Sequence, residues 1–362
     1  MMDHKVWRDF DFLLLAATVL LIVFGVAMIH SATRETPDLQ DLPSRQVIWA
    51  LIGLVLSLIV AAMDYRFLGG LQKPLYVLII GSLVVVLVVG EVTHGAQRWI
   101  TGSSLQPSEL AKVLIIVTLA QLLANHEEEI GRFRYILLSI VHVAVPMALI
   151  YLQPHLGTVI VLAVVWLAMV VMAGMRLLHL GILSFVGLVA TPLIWFSLKD
   201  YMRERLLLFI NPSQNPAARY NIDQALISIG SGGWLGKGYA SGTQSQLHFL
   251  RVRHTDFIFS VIGEEMGFIG ALVLFALFGI VLWRILRAAS LARDSFGRLI
   301  CCGVATLIFF QATVNIGMNL GLLPVIGIPL PFISAGGSSL IALLLAEGLV
   351  QSVVMRHRKI EF

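Results

Sequence analysis

The chain has 362 residues, of which 58% are hydrophobic and 13% are charged. Its mean hydropathy is +0.89, and because soluble domains carry about a quarter charged residues, these values exclude an ordinary soluble protein. The net charge of +4 does not indicate a nucleic-acid partner, since basic residues in a membrane protein usually encode its topology. We expect membrane lipid, and no nucleic acid, to contact this chain.

Apolar runs recur along the chain and predict about ten transmembrane helices. Several reach the ~20 residues that cross a ~30 Å hydrocarbon core, and none alternates as barrel strands do. We therefore predict an all-α, polytopic membrane protein in which residues 1–362 form a single transmembrane domain. The predicted spans are residues 12–30, 46–63, 74–92, 107–124, 135–152, 156–174, 178–197, 257–284, 299–321 and 332–355.

Lys and Arg are unequally divided between the two sides of the predicted helices. Fourteen of the 25 lie in the tails and connections of one side, whereas the short connections of the other side hold only Arg34, Arg45 and Arg98. Because the side rich in Lys and Arg faces the cytoplasm, both termini are predicted to be cytoplasmic. Cys301 and Cys302 are adjacent in an apolar run, so neither a disulfide nor a metal site is expected there.

One connection, between the seventh and eighth predicted spans, is far longer than the others. It comprises residues 198–256 and is predicted to lie outside the cell. Apolar residues recur through it and its glycines fall in short groups, which favours a packed, functional loop over a flexible linker. Gly236-Lys237 is not part of a P-loop, because that motif requires Gly where this chain has Ser231 and Ser or Thr where it has Gly238.

Charged residues inside or at the ends of spans mark candidate sites, because charge is costly in lipid. Glu109 and Lys112 share one helix face, so they either form a structural ion pair or line a polar cavity. Asp256 lies where the basic loop enters an apolar helix. It is either a first-turn acid favoured by the helix dipole or a base for a sugar hydroxyl. Glu264 and Glu265 are also within a span, and their role is left open.

Five motifs resemble, in their order, those of the SEDS family of shape, elongation, division and sporulation proteins. They are Gln-Pro-Ser-Glu-Leu-Ala-Lys at 106–112, Gly-Thr-Gln-Ser-Gln-Leu at 242–247, His-Thr-Asp-Phe-Ile-Phe at 254–259, Gly-Glu-Glu-Met-Gly at 263–267 and Pro-Phe-Ile-Ser-Ala-Gly-Gly-Ser-Ser at 331–339. The second motif is closer to the elongation (RodA) branch than to the division (FtsW) branch. One departure is Arg251-Val252, where the family usually has Pro-Glu, so the surroundings of Asp256 are more basic here.

The resemblance implies a peptidoglycan glycosyltransferase with ten helices, which polymerises lipid II together with a class B penicillin-binding protein. It implies that Asp256 is the catalytic residue and acts as the general base on an acceptor hydroxyl. Polyprenyl pyrophosphate would be the leaving group, and the configuration at the anomeric carbon of the sugar would be inverted. We also assign substrate binding to Glu109, Lys112, Arg98, Arg203, Arg219, His254 and Ser334. The active site would then lie on the outer face of the membrane.

No cluster of His and carboxylate ligands is evident in the sequence. A divalent cation, Mg²⁺ or Mn²⁺, would therefore be held largely by substrate phosphates, and no other cofactor is assigned. Two other classes of protein remain open at this stage: a lipid II flippase or transporter, and a non-catalytic scaffold for a penicillin-binding protein. A transporter would need alternating access, and a scaffold would not need Asp256.

Overall fold

The computed structural model describes residues 7–93, 96–99, 106–211, 216–247, 249 and 253–357. Long α-helices dominate this part of the chain, which confirms the all-α prediction. In chain order the elements are α1 (Phe12–Thr33), α2 (Leu42–Ala62), α3 (Tyr65–Gly70), α4 (Gln72–Val89), β1 (Glu91–Thr93), β2 (Ala96–Trp99), α5 (Pro107–Ala124), α6 (Phe133–Leu152), α7 (Leu156–Met172), α8 (Leu177–Ser197), α9 (Asp200–Ile210), α10 (Pro216–Gly232), α11 (Thr243–Gln246), α12 (Ile258–Leu291), α13 (Ser295–Asn319) and α14 (Gly337–Met355). The two short strands pair antiparallel.

Eight of the described helices are long and apolar enough to cross a membrane, namely α1, α2, α4, α5, α6, α12, α13 and α14. Two shorter apolar helices, α7 and α8, coincide with the two remaining predicted spans. Each predicted span therefore corresponds to an apolar helix. The exact number of membrane crossings stays a prediction.

The end of α12 differs from the sequence prediction because a charge there is paired. The predicted span stops at residue 284, whereas the helix continues to Leu291. Arg284 Nε lies 2.6 Å from Asp11 Oδ2, and Asp11 is the N-cap of α1. A paired cation of this kind is compatible with a continuing helix.

Helices α1 and α12 run antiparallel, since polar contacts join them near both ends. The Arg284–Asp11 pair marks one end, and at the other end the Ser31 hydroxyl donates a 2.5 Å hydrogen bond to Glu265. The first residues of α12, 258–264, therefore extend past the end of α1. We call this end of the bundle, which carries the described residues of the long connection, the loop end.

Helix α12 is interrupted at Gly267, whose φ of +63° is in the left-handed region. A Cβ at this position would lie 2.7 Å from the carbonyl oxygen of Trp234, so glycine is required both for conformation and for the close approach. The backbone groups freed by the break bond to the glycine-rich segment: Lys237 N–H to Glu264 O, Gly238 N–H to Glu265 O, Phe268 N–H to Gly233 O and Ile269 N–H to Trp234 O. The long connection is thus attached to the membrane helix through its backbone.

Helices α5, α13 and α14 form the centre of the bundle. More than two thirds of the spanning part of each is buried inside the protein. The apolar faces of α1, α2, α4, α6 and α8 remain exposed on the outside, as expected for helices that face lipid rather than water. The loop ends of the central helices are where polar residues cluster, and these ends position the site.

Candidate functional site

A cavity of about 330 Å³ lies at the loop end. We call it the first cavity. Its wall includes residues from the starts of α5, α7 and α14, from α9, and from the turns before α12 and after α13. Of the residues predicted from the sequence, Asp256 and Glu109 line it. The fold therefore brings together two acids that are far apart in the sequence.

The backbone around Asp256 is fixed from three directions. The Asp256 carbonyl accepts hydrogen bonds from Asn319 Nδ2 at 2.8 Å and Asn315 Nδ2 at 3.2 Å. The Thr255 carbonyl accepts one from the Ser334 hydroxyl at 2.7 Å. The carbonyl of the preceding residue, His254, accepts one from the backbone N–H of Ala335. These bonds hold the main chain while the carboxylate borders the cavity.

Asn315 and Asn319 also belong to the candidate site, and the sequence did not predict them. They lie four residues apart on α13, so their side chains emerge from the same face. Asn319 Oδ1 also accepts from the hydroxyl of Ser260 at 2.6 Å, which ties the start of α12 to the same point. The sequence does contain an indication of their importance: two amide side chains lie inside an apolar span, where polar groups require hydrogen-bond partners.

Glu109 and Lys112 form an ion pair. Lys112 Nζ lies 2.8 Å from Glu109 Oε2, and the two side chains are only 4% and 5% exposed. Glu109 lines the first cavity, whereas Lys112 is not part of its wall. The two sequence-based alternatives are therefore both realised in part: the pair exists, and its acid faces the cavity.

Three helix amino termini converge on the first cavity. The N-cap residues of α5, α7 and α14 are Gln106, His155 and Gly336, and all three line it. None of the three ends has a side-chain cap. The first N–H groups of a helix have no partner within it, and the helix dipole is positive at this end. The arrangement favours an anionic group such as a phosphate.

Arg203 and Arg205 are only two residues apart but have different surroundings. The Arg203 side chain donates to the carbonyls of Trp195 at 3.0 Å and Phe196 at 2.5 Å, so it caps the end of α8. Successive helical residues are rotated by about 100°, so Arg205 lies on the other side of α9 and lines the first cavity. The sequence predicts a binding role for Arg203 and none for Arg205, because it does not define the helical phase of α9.

Asp256 and Arg205 both lie close to Gly327. A Cβ placed on this glycine would be 3.6 Å from Asp256 Oδ2 and 3.8 Å from Arg205 Nη1. The glycine has a φ of +69°, which side chains other than glycine rarely adopt. Bare backbone at this position leaves both charged groups accessible from the cavity.

The remaining predicted residues lie elsewhere. Arg219 pairs with Asp223 at 2.8 Å, and both side chains are about 40% exposed. Ser334 is buried and fixes Thr255 rather than lining the cavity. His254 is half-buried, and its burial, together with the charge of Arg253, lowers the pKa of its imidazole. The binding roles assigned to these residues stay predictions.

Arg98 belongs to β2, but its side chain lies outside the described residues, as do Arg251 and Val252. Within the described part of the chain, no group of three His, Cys, Asp or Glu residues has the arrangement of a metal site. Cys301 and Cys302 are both buried free thiols.

Glu264 and Glu265 hold the glycine-rich segment to α12. Glu264 accepts hydrogen bonds from the backbone N–H groups of Gln244 and Ser245 at 2.8 and 3.0 Å, and from Lys237 Nζ at 3.0 Å. Glu265 accepts from Ser31 and from the backbone N–H of Ala240. Both side chains are fully buried. We call these two residues, with residues 237–246, the glutamate clamp; the role left open by the sequence is structural.

Comparisons with known proteins agree with this architecture. The model of the FtsW, RodA and SpoVE family, described as cell cycle proteins, matches residues 11–359. Peptidoglycan glycosyltransferase MrdB of Escherichia coli strain K12 is 37% identical over 343 residues, which cover 94% of this chain and 91% of that protein. A probable peptidoglycan glycosyltransferase FtsW of Geobacter metallireducens is 36% identical over 99% of this chain and 98% of its own length.

Two solved structures have the same fold. The crystal structure of the rod shape determining protein RodA of Thermus thermophilus is 32% identical, with a TM-score of 0.74 and coverage of 98% of this chain and 99% of that one. A chain of a peptidoglycan synthase complex that coordinates polymerization and crosslinking is 33% identical, with a TM-score of 0.82 and coverage of 96% and 98%. These matches confirm the resemblance seen in the motifs, and the chain belongs to the FtsW, RodA and SpoVE family of cell cycle proteins, the SEDS family.

Proposed function

We propose that this bacterial membrane protein is a peptidoglycan glycosyltransferase that polymerises lipid II into glycan strands during cell elongation. The observation that carries the proposal is the first cavity, where the Asp256 carboxylate and three helix amino termini share one wall. Such a site offers a base and an anion cradle together. The relatives are named peptidoglycan glycosyltransferases. Transfer of a sugar from a lipid pyrophosphate needs a base for the acceptor hydroxyl and positive charge for the leaving pyrophosphate.

In the proposed reaction, the pyrophosphate of the donor lipid lies against the amino termini of α5, α7 and α14, where N–H groups and helix dipoles stabilise its charge. Asp256 takes the proton from the 4-hydroxyl of the acceptor GlcNAc. That oxygen bonds to the anomeric carbon of the donor from the face opposite the phosphate. The bond from the anomeric carbon to the phosphate oxygen breaks, and polyprenyl pyrophosphate leaves with the electron pair. Attack from the opposite face converts an α-linked donor into a β-linked glycan.

A divalent cation, Mg²⁺ or Mn²⁺, would be bound mainly by the substrate phosphates. The described residues do not form a cation cage, and Glu109 already pairs with Lys112. The protein therefore supplies the positive end of three helix dipoles and Arg205, and no catalytic step is assigned to a metal.

The orientation of the protein is part of the proposal. The loop end faces the outside of the cell, and both termini are cytoplasmic. A cysteine at exposed Ser241, in a Cys301→Ala, Cys302→Ala background, should react with an impermeant thiol reagent on intact cells. A cysteine at Ser295, at the other end of the bundle, should react only after the membrane is opened. The reverse labelling would place the first cavity on the wrong side for lipid II.

A class B penicillin-binding protein is the proposed partner. One structural neighbour belongs to a complex that couples polymerization to crosslinking. Glycan strands made by this chain would then be crosslinked by a transpeptidase bound to it. Co-purification of the two proteins from the native membrane tests this part of the proposal.

The decisive experiment uses purified protein and labelled lipid II, with and without the partner, and measures glycan length on a gel. Wild type should make strands and Asp256→Asn should not, while both keep the same melting temperature. Asp200→Asn is the matched control, because Asp200 is fully exposed on α9 and should retain activity. Long strands from Asp256→Asn would reject the general base. Lipid II movement across vesicles without polymerisation by wild type would favour the flippase instead.

A further inference from the structure

A second cavity, of about 280 Å³, lies beside the first. It is formed by α9, α10, the start of α12 and the turn at Pro324 and Val325. Arg205 lines both cavities. Phe257, in the wall of the second, directly follows Asp256, in the wall of the first. The two cavities therefore flank the same arginine and the same short turn.

An amide in the second cavity has an unmet hydrogen bond. Asn221 contributes to the wall, and its side-chain oxygen is buried and receives no hydrogen bond from any described residue. A buried acceptor without a donor is energetically unfavourable, because it has lost its hydrogen bonds to water. A ligand that supplies an O–H or N–H at this point would remove that cost.

The other walls fit a carbohydrate. Phe209 and Phe257 contribute aromatic side chains to the wall of this cavity, and Glu204 and Arg205 contribute charged ones. Small-ligand sites combine apolar and aromatic walls with a few polar groups that fix orientation. Sugar rings have C–H faces that pack on aromatic rings, and their hydroxyl and N-acetyl groups form hydrogen bonds at the rim.

We propose that the second cavity binds the terminal N-acetylated sugar of the acceptor glycan, with Asn221 Oδ1 accepting a hydrogen bond from a sugar hydroxyl or the N-acetyl N–H. The inference rests on the proposed function, because it needs a donor in the first cavity. Inversion requires the acceptor to approach from the side opposite the pyrophosphate. The second cavity lies across Arg205 and next to the Asp256 turn, so an acceptor held there can present its hydroxyl to the carboxylate.

The test measures binding without turnover. The probe is a fluorescent, lipid-free peptidoglycan tetrasaccharide that ends in GlcNAc, and its dissociation constant is measured with purified full-length protein. Asn221→Leu should weaken binding about 10-fold, the equivalent of about 1.4 kcal/mol. Asn221→Asp keeps an acceptor oxygen and should stay within about 3-fold of wild type. Gln224→Leu is the control, because it removes an amide from α10 that does not line the cavity.

The outcomes separate this inference from the proposed function. Binding by Asn221→Leu equal to wild type, in protein with an unchanged melting temperature, overturns the acceptor site while leaving polymerisation by wild type intact. If Asn221→Leu does not fold, Leu208→Trp adds bulk to the wall of the same cavity and keeps the amide. It should also weaken tetrasaccharide binding, and unchanged affinity in this variant has the same meaning. Active Asp256→Asn would instead reject the base and leave the binding result standing.

Discussion

The glutamate clamp and Asp256, in the wall of the first cavity, place acids at the loop end within nine residues of each other on the chain. In the clamp, hydrogen bonds go to the carboxylates of Glu264 and Glu265. At Asp256, the described hydrogen bonds from Asn315 and Asn319 go to the backbone carbonyl. The first arrangement uses the acids as anchors. The second fixes the main chain of an acid that lines a cavity.

This difference matters for chemistry. A carboxylate whose oxygens already accept hydrogen bonds from protein N–H and O–H groups has few lone pairs left for a substrate. A carboxylate at a cavity can approach a substrate hydroxyl, provided that its position is fixed. Charge in a span is therefore a weak guide to catalysis until its partners are known. Four mutational predictions test the contrast, in order of decreasing expected effect.

Removing a clamp acid should destabilise the protein most. Glu264→Ala removes the acceptor of two backbone N–H groups and of Lys237, and each buried donor left unsatisfied costs about 1–3 kcal/mol. Thermal unfolding in detergent should show a large fall in melting temperature. Glu127→Ala is the control, because its pair with Arg298 is nearly half exposed and is worth about 1 kcal/mol or less. Equal melting temperatures for the two variants would contradict the anchoring role.

Exchanging Glu109 and Lys112 should separate pairing from function. The double variant Glu109→Lys, Lys112→Glu can rebuild the buried ion pair, so its melting temperature should exceed that of either single variant. It should remain at least about 100-fold less active in glycan synthesis, because the residue that faces the cavity now has the wrong charge. Activity near that of wild type in the exchanged protein would reduce the pair to a structural element.

Loss of the Asn319 amide should displace the Asp256 turn. Asn319→Ala removes the bond to the Asp256 carbonyl and the acceptor for Ser260. A small displacement of a catalytic group lowers turnover, here by about 10-fold. Gln311→Ala is the control on the same helix, because its buried amide has no described hydrogen-bond partner. The idea fails if both variants show the same kcat for lipid II polymerisation.

His254 should make a small contribution to acid sensitivity. Burial and Arg253 lower the pKa of His254 in the folded protein, whereas an unfolded histidine titrates near 6.5. Between the folded and unfolded pKa values, the unfolded state binds more protons, so the free energy of unfolding falls as pH drops below about 6.5. Above about pH 6.5, His254 is neutral in both states and the free energy of unfolding no longer depends on its titration. Melting temperatures of wild type and His254→Gln are measured from about pH 7.5 to about pH 5. On acidification the melting temperature of wild type should fall more than that of His254→Gln, which lacks the titrating group. Parallel curves would contradict the assignment.

The helices, the family and two of the site residues were predictable from the sequence, because they depend on composition and on the order of neighbouring residues. Apolar runs gave the helices, since a backbone in lipid must satisfy its own hydrogen bonds. The motifs gave the family, which the comparisons confirm. Asp256 and Glu109 were selected as charged residues at the ends of spans, and both line the first cavity.

Other features depend on which elements pack together. Arg203 and Arg205 are equivalent in a sequence, and only the helical phase of α9 decides that Arg205 faces the cavity while Arg203 caps α8. Glu264 is an acid like Asp256 and lies only eight residues after it. Its role became clear only when the glycine-rich segment was seen to fold back onto it.

The sequence by itself determined that this chain crosses a membrane, which family it belongs to and which acids are candidates for chemistry. Those properties follow from hydropathy, charge and motifs, which are local. The tertiary structure alone decided that three helix amino termini meet at one cavity, that two amides fix the Asp256 turn, and that a second cavity adjoins the first. Such convergence involves residues separated by hundreds of positions, and their proximity is set by how the helices pack, which no local pattern specifies.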